Sequence, residues 1–156
     1  MVEKHAPSDT DVTAAGVIRK VYAAFNSGDP ATIAAMAKEC FADDIVVREA
    51  ESLPWGGVYQ GLDTVTSMTV GLASPQSPIV ATQIAIQQLI TTELDRNGTA
   101  EVVAVVAFPW RGPKQTITMR ALEWFSLRAG KVAEIQVFLW DTAAAIAALT
   151  DTERMP

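Results

Sequence analysis

Apolar and polar residues alternate most clearly in residues 115–127, in the last third of the chain. A period of two is typical of a β-strand that buries one face and exposes the other. The apolar face carries every second residue: Ile117, Met119, Ala121, Phe125 and Leu127. One carboxylate, Glu123, interrupts this face between Ala121 and Phe125. Because an acid on a buried face is costly unless it is paired, hydrogen-bonded or protonated, Glu123 is the first candidate functional residue.

Five further strands are predicted from runs rich in β-branched and aromatic residues. They cover residues 45–50, 58–60, 79–94, 99–110 and 131–140. In the first of these strands, Ile45 and Val47 share a face with Glu49, so a second acid is expected in the interior. Asn97-Gly98 separates two of the later strands and is typical of a tight hairpin turn.

Four helices are predicted from apolar residues that recur with the helical period. They cover about residues 11–26, 30–39, 61–73 and 142–149. The first helix is the clearest, because four large residues form one stripe: Ile18, Val21, Tyr22 and Phe25. The predicted caps are Gly28 after the first helix and, before the later helices, Asp29, Asp63 and Asp141.

The order helix, helix, strand, strand, helix and then four strands indicates an α+β fold. We expect a strongly bent, cone-shaped antiparallel sheet, with the three helices of the N-terminal half packed on its concave face. Residues 11–150 are predicted to form this single domain, between a flexible arm at residues 1–10 and a loose tail at residues 151–156. A cone with few polar groups inside is suited to a small ligand.

The composition is that of a well-cored globular domain, since 49% of the 156 residues are hydrophobic and 19% are charged. The net charge of −6, without a basic cluster, argues against a nucleic-acid partner. No apolar run approaches the ~20 residues that cross a bilayer, so no membrane partner is expected. The polar N-terminal residues lack the apolar segment of a signal peptide, which predicts a cytoplasmic protein.

The chain contains one cysteine, Cys40, and one histidine, His5. A single cysteine excludes an internal disulfide bond. The shortage of histidine and cysteine argues against a zinc-type metal site, and a Ser-His-Asp triad is not expected. We therefore predict neither a metal nor a cofactor, and we assign any chemistry to carboxyl groups.

Five short motifs carry a family resemblance. They are Ala23-Ala24-Phe25-Asn26-Ser27-Gly28-Asp29, Phe41-Ala42-Asp43-Asp44, Tyr59-Gln60-Gly61, Gly130-Lys131-Val132 and Trp140-Asp141-Thr142. With this order of elements, about residues 12–149 resemble the nuclear-transport-factor-2-like superfamily, and in particular its SnoaL-like and ketosteroid-isomerase-like members. That superfamily also includes limonene-epoxide hydrolases, scytalone dehydratases and many binding domains.

The ketosteroid isomerases carry the most specific implication for the two acids. By resemblance, the general-base aspartate of that family corresponds to Glu49, and its oxyanion-hole aspartate corresponds to Glu123. The family's oxyanion tyrosine corresponds to Val21, which precedes Tyr22. In ketosteroid isomerases one carboxylic acid stays neutral so that it can donate a hydrogen bond.

If the two glutamates line one pocket, burial and like charge raise at least one pKa, and the pair becomes a general acid and base. We therefore predict a cofactor-independent proton-transfer enzyme: an isomerase, dehydratase or polyketide-type cyclase acting on a small apolar, carbonyl-bearing ligand. Glu49 would abstract or relay a proton, and Glu123, helped by Tyr22, would stabilise the enolate oxygen. The residues predicted to contact the substrate are Trp55, Tyr59, Met119, Phe125 and Asp141.

Two alternatives stay open. The first is a non-catalytic domain that binds a small hydrophobic ligand or dimerises. Arg120 and Trp124 lie on the strand face opposite Glu123, where the back-to-back sheets of the superfamily imply a homodimer. The second alternative is an epoxide hydrolase-like enzyme, although that pattern calls for a carboxylate near Val137 or Phe138 and both residues are apolar.

Overall fold

The computed structural model describes residues 13–150, so the predicted arm at residues 1–10 and the predicted tail at residues 151–156 lie outside the described residues. Four helices and six strands follow one another in the order that the sequence predicts. They are α1 (Ala14–Ser27), α2 (Pro30–Cys40), β1 (Phe41–Glu49), β2 (Gly57–Gln60), α3 (Leu62–Gly71), β3 (Ala85–Thr91), β4 (Ala100–Arg111), β5 (Thr116–Arg128), β6 (Lys131–Leu139) and α4 (Thr142–Thr150).

The six strands form one open sheet in the order β2-β1-β6-β5-β4-β3. Neighbouring strands are antiparallel except for β1 and β6, which run parallel, so the sheet is mixed. Parallel neighbours need a long crossover connection, and here most of the chain lies between the two strands. The predicted α+β class is confirmed, with the helices before the main run of strands.

The helix ends follow most of the predicted caps. Gly28 ends α1 with a positive φ of 64°, and Asp29 begins α2 by accepting a hydrogen bond from the Thr32 N–H. The third cap is corrected, because Gly61 occupies it without a side-chain hydrogen bond and Asp63 lies inside the first turn of α3. No helix in the described part of the chain is both long and apolar enough to cross a membrane.

The long strand predicted over residues 79–94 is shorter and interrupted. Ile79 forms a single bridge with Trp110, a 3₁₀ turn follows at Ala81–Gln83, and only Ala85–Thr91 pairs continuously with β4. The pairing register also shifts between Ile86 and Gln88, which is a β-bulge. The prediction was wrong here because a run of β-type residues says little about where a chain leaves the sheet. As a result, the chain before the 3₁₀ turn forms a loop beside α3.

The alternation in β5 is confirmed and explains where the core lies. Phe125 and Leu127 on the inner face are 0% and 2% exposed, whereas Leu122 and Trp124 on the outer face are 44% and 43% exposed. The inner face packs against α1, α2 and α3, whose buried stripes complete the core. Glu123 therefore lies on the core side of the sheet, as its position in the pattern predicts.

We expect Leu127→Ala to lower the free energy of unfolding by about 2–5 kcal/mol, because it removes buried methyl groups and leaves a cavity. Thr118→Ala is the control in the same strand, and it should cost less than about 1 kcal/mol because the Thr118 side chain is exposed on the opposite face. Urea unfolding of the two variants checks this. Equal losses in both would contradict the assignment of the two faces.

Candidate active site

An apolar cavity of about 60 Å³, called the inner cavity here, lies between the sheet and α3. Residues from α1, α3 and four strands line it, and they include an aromatic wall formed by Phe25, Trp55, Phe108 and Trp110. Among the described residues, the carboxyl groups in this lining are those of Glu49 and Glu123, and no Lys or Arg lines it. The two acids that the sequence pattern identifies therefore share one apolar space.

The strand order brings the two acids together although they are far apart in the chain. Glu49 ends β1, Glu123 lies in the middle of β5, and β6 runs between these two strands. The register places Glu123 beside Val137 of β6 and Val47 beside Ile135, so both acids lie near the same level on the same face. Adjacent strands are about 4.8 Å apart, so two glutamate side chains on either side of one strand can approach each other over Val137.

Tyr22 holds the carboxyl group of Glu123. The Tyr22 hydroxyl donates a hydrogen bond to Glu123 Oε2 at 2.5 Å, and the Tyr22 side chain is 1% exposed. Its ring packs edge-on against Phe25 and Phe125, with both pairs of ring centroids 6.1 Å apart. Within residues 13–150, Glu123 Oε1 has no hydrogen-bond partner, so this oxygen is left to interact with whatever occupies the inner cavity.

Burial shifts the protonation equilibria of all three groups. Burial, reinforced by the Glu123 charge, raises the pKa of Glu49 from 4.5 to about 7. Burial also raises the pKa of Glu123, and the Tyr22 hydrogen bond opposes this shift. Burial and the charge of Glu123 raise the pKa of Tyr22 well above its usual value, so its hydroxyl stays a donor at neutral pH. The site can therefore hold a proton near neutral pH and release it over a small pH interval.

The predicted substrate-contact residues are divided between the cavity and the scaffold around it. Trp55 lines the inner cavity, and its ring centroid lies 5.5 Å from that of Trp110. The Tyr59 hydroxyl donates to the Trp55 carbonyl oxygen, so Tyr59 supports Trp55 from behind. Phe125 is fully buried behind Tyr22, and Met119 is buried beside Phe108 in the neighbouring strand.

Asp141 also has a structural role, at the start of α4. Its side chain is exposed, and its Oδ1 accepts a hydrogen bond from the Ala144 N–H at 2.8 Å, which caps α4. Asp141, Tyr59, Met119 and Phe125 therefore occupy capping and packing positions outside the lining of the inner cavity, and their contact with a substrate stays a prediction.

The most important wall residue that sequence reasoning missed is Trp110. Its side chain is 0% exposed, and its indole N–H donates to the Ala145 carbonyl oxygen at 3.1 Å, which attaches α4 to the wall. The signal was present in β4, where Val106, Phe108 and Trp110 alternate with outward residues. It was obscured because valines occupy both faces of that strand.

The titratable groups that line the inner cavity are the carboxyl groups of Glu49 and Glu123, and the Tyr22 phenol lies behind Glu123. Within residues 13–150, no three His, Cys, Asp or Glu side chains are arranged to hold a metal ion. The lining described above also offers no basic side chain for the phosphates of a nucleotide cofactor.

We expect the free energy of unfolding to decrease as the pH rises from about 4.5 to about 7, because folded Glu49 keeps a proton that the unfolded chain releases. A shift from 4.5 to about 7 corresponds to about 3 kcal/mol. Glu49→Gln should not show this loss. Relative to the unchanged protein, its free energy of unfolding should be about 3 kcal/mol higher at about pH 8 than at about pH 4. Urea unfolding at both pH values measures the gain.

Glu51→Gln is the control for this measurement, because Glu51 is exposed and lies two residues away. We expect it to change the free energy of unfolding by less than about 0.5 kcal/mol at either pH. A Glu49→Gln variant with the pH dependence of the unchanged protein would mean that this carboxyl is solvated in the folded state.

The fold of the chain recurs in several solved structures. Bal32a, from a soil-derived mobile gene cassette, is 18% identical, with a TM-score of 0.60 over 81% of this chain and 88% of its own. A putative SnoaL-like polyketide cyclase from Jannaschia sp. CCS1 is 14% identical, with a TM-score of 0.55 over 95% and 100% of the two chains. SalBIII, an epoxide hydrolase/cyclase-like enzyme in pyran ring formation in salinomycin, is 15% identical, with a TM-score of 0.57 over 79% and 87%.

At these sequence identities the solved structures show a shared fold, and a shared fold does not imply a shared activity. No protein of curated function matches the sequence significantly. The model of the SnoaL-like domain family matches residues 18–135, which is most of the chain and spans both Tyr22 and Glu123. The family resemblance is thereby confirmed, and the chain belongs to the SnoaL-like domain family.

Proposed function

We propose that this protein is a cofactor-independent enzyme that transfers a proton on a small apolar ligand carrying a carbonyl group. The reaction would be an isomerisation, a dehydration or a polyketide-type cyclisation. One observation carries the proposal: Glu49 and Glu123 line the same apolar cavity, and Tyr22 holds one oxygen of Glu123. A raised-pKa acid beside an ionisable carboxylate is the arrangement that general acid–base catalysis needs.

Glu49 is assigned the role of the base. Its pKa of about 7 lies near neutral pH, where a general base is most effective. Within residues 13–150 it forms no hydrogen bond or ion pair, so both of its oxygens are free to take a proton. In the proposed step, a Glu49 oxygen bonds to the proton on the carbon next to the carbonyl group. The electrons of the broken C–H bond move to the carbonyl oxygen, which gives an enolate.

Glu123 is assigned the role of the hydrogen-bond donor to that oxygen. The Tyr22 hydroxyl occupies Glu123 Oε2, so a proton on Glu123 is carried by Oε1. From Oε1 it can be donated to the carbonyl oxygen as negative charge develops there, without reorganisation of the site. Return of the proton from Glu49 to a different carbon completes an isomerisation. In a cyclisation the enolate carbon attacks a second carbonyl carbon, and the alkoxide oxygen that forms takes the proton from Glu49.

The similar proteins support the proposed class of reaction. The chain belongs to the SnoaL-like family, and one structure that shares its fold is a putative SnoaL-like polyketide cyclase. The epoxide hydrolase alternative is supported only by the fold of SalBIII. Arg120 is exposed on the outer face of β5, away from Glu123, so an arginine–carboxylate pair within the cavity is not formed by these residues.

We expect Glu49→Gln to lower kcat by about 10²–10⁴-fold, because amide nitrogen and oxygen cannot accept the proton. A suitable probe is 3-cyclohexenone, whose isomerisation to the conjugated ketone is followed by ultraviolet absorbance. The step needs one proton on the pair, held by Glu123 while Glu49 is ionised, so the rate should fall as the pH rises above about 7 and the pair loses that proton. Glu123→Gln should also lose rate, and Tyr22→Phe should lose about tenfold through the missing hydrogen bond.

Two control variants distinguish these catalytic roles from a nonspecific effect of substitution on the rate. Glu51→Gln removes an exposed acid near the site, and Glu93→Gln removes an exposed acid outside the lining of the inner cavity. Both should keep the rate within about twofold. Turnover that survives Glu49→Gln and Glu123→Gln unchanged would overturn the assignment.

A second candidate function, dimerisation, is favoured by the outer face of the sheet. Four exposed apolar side chains define this outer face: Leu122, Trp124, Phe138 and Trp140. Leu122 pairs directly with Phe138 across β5 and β6, and the Arg120 guanidinium lies 5.8 Å from the Trp140 ring centroid. Contiguous apolar surface of this kind marks interaction sites. We propose that two copies of the chain associate through their outer faces.

We expect the protein to be a dimer and Phe138→Glu to be a monomer, because the variant places a charge in the centre of the outer face. Ala35→Glu is the control, since Ala35 is also exposed but lies on α2, which packs against the opposite face of the sheet. Analytical ultracentrifugation distinguishes the two states. A monomeric unchanged protein, or loss of the dimer in both variants, would contradict the proposal.

A further inference from the structure

A second apolar space of about 200 Å³ adjoins the inner cavity on the side of α3. Five residues line both spaces: Glu49, Trp55, Met68, Leu72 and Ile79. The remaining wall of this second space, called the vestibule here, is formed by Gly71, Ser77 and Pro78. The vestibule therefore lies between the C-terminal end of α3 and the loop that replaces the start of the predicted long strand.

The inner cavity is too small to hold a substrate of ordinary size alone. Its volume of about 60 Å³ is well below the roughly 300–1,000 Å³ of typical ligand pockets. With the vestibule of about 200 Å³, the space approaches the lower end of that range. A ligand that reaches Glu123 and has more than a few atoms must therefore extend beyond the inner cavity, and the vestibule is an apolar space that adjoins it.

The chemical character of the vestibule indicates what part of the ligand it takes. Apart from Glu49 and Ser77, its walls are apolar side chains and glycine, and no basic side chain lines it. A charged group would lose its hydration there without gaining a partner, whereas an alkyl chain would be buried favourably. Glu49 lines both spaces and Glu123 lines only the inner one, so the carbonyl end of the ligand must point inward.

We infer that the substrate is an uncharged ketone with an apolar tail, which enters through the vestibule and leaves its tail there, an inference that rests on the proposed function of the inner cavity. Met68 and Leu72 from α3 and Ile79 from the loop would set the length and width of that tail. Gly71, at the rim, would keep the passage open.

Gly71 provides a sharp test because it can be enlarged without strain. It is the last residue of α3 and is exposed, and a Cβ added to it meets nothing within 4 Å. Its φ is not in the left-handed region, in contrast to Gly57 or Gly61. Replacing a helical glycine normally stabilises a protein, so a large side chain at this position should narrow the vestibule while leaving the fold intact.

The experiment compares binding of 2-butanone and 2-octanone by isothermal titration calorimetry. Each buried methylene tightens binding by up to about fourfold, so the unchanged protein should prefer 2-octanone by at least about tenfold. Gly71→Trp should weaken 2-octanone by about tenfold or more and leave 2-butanone within about twofold. Ser67→Trp, which adds the same bulk at an exposed position of α3 outside the vestibule, should leave the binding of both ketones unchanged. Octanoate should bind at least about tenfold more weakly than 2-octanone, because two acids and no base line the combined space.

Deuterium exchange at the carbon next to the carbonyl group, followed by NMR on the same ketones, separates this inference from the proposed function. A chain-length preference without Glu49-dependent exchange would support the vestibule and overturn the catalytic role. Glu49-dependent exchange without a chain-length preference, or with equal effects of Gly71→Trp on both ketones, would overturn the vestibule. Absence of binding by either ketone, or equal binding of octanoate, would also overturn it.

Discussion

The hydrogen bond from Tyr22 to Glu123 is the interaction on which the site depends. Glu123 lies on the inner face of β5, where apolar residues precede and follow it in the pattern. A carboxyl group in that position is expensive unless a polar partner reaches it. Tyr22 reaches it from α1, 101 residues earlier in the chain, and aromatic rings on both sides hold the phenol in place. One contact therefore joins the first helix to the central strands and fixes one oxygen of the acid.

The burial that makes the charged form of Glu123 unfavourable also raises the pKa of Glu49. Both side chains face one apolar space, so each is poorly solvated and the charge of Glu123 further opposes ionisation of Glu49. A carboxyl group that would be ionised in water thus titrates near neutral pH. The raised pKa lowers the free energy of unfolding at neutral pH, because a folded state that retains a proton loses stability as the pH rises. Retention of two acids at such a cost is typical of functional sites rather than of packing.

The two faces of β5 differ in chemical character. The inner face carries the acid of the cavity, and the outer face carries Leu122 and Trp124, which lie beside Phe138 and Trp140 of the next strand and its end. Since successive side chains of a strand point in opposite directions, one strand can present a reactive group to the interior and an apolar surface to a partner. The aromatic wall around Trp110 then links the cavity to α4.

The sequence by itself determined the order of the elements, the α+β class and the presence of two acids on inward faces, because hydrophobic periodicity is a local property that neighbouring residues carry. Tertiary structure decided that Glu49 and Glu123 meet, since their proximity depends on β6 pairing in parallel with β1 and antiparallel with β5. It also decided that Tyr22 contacts Glu123, because one residue on a helix turns a side chain by about 100° and the pattern does not state that orientation relative to the sheet. Packing also decided the contacts of three other predicted residues, which support the site from outside the cavity: Tyr59, Phe125 and Asp141. A sequence shows which residue types are present, and only the tertiary structure shows what each side chain contacts.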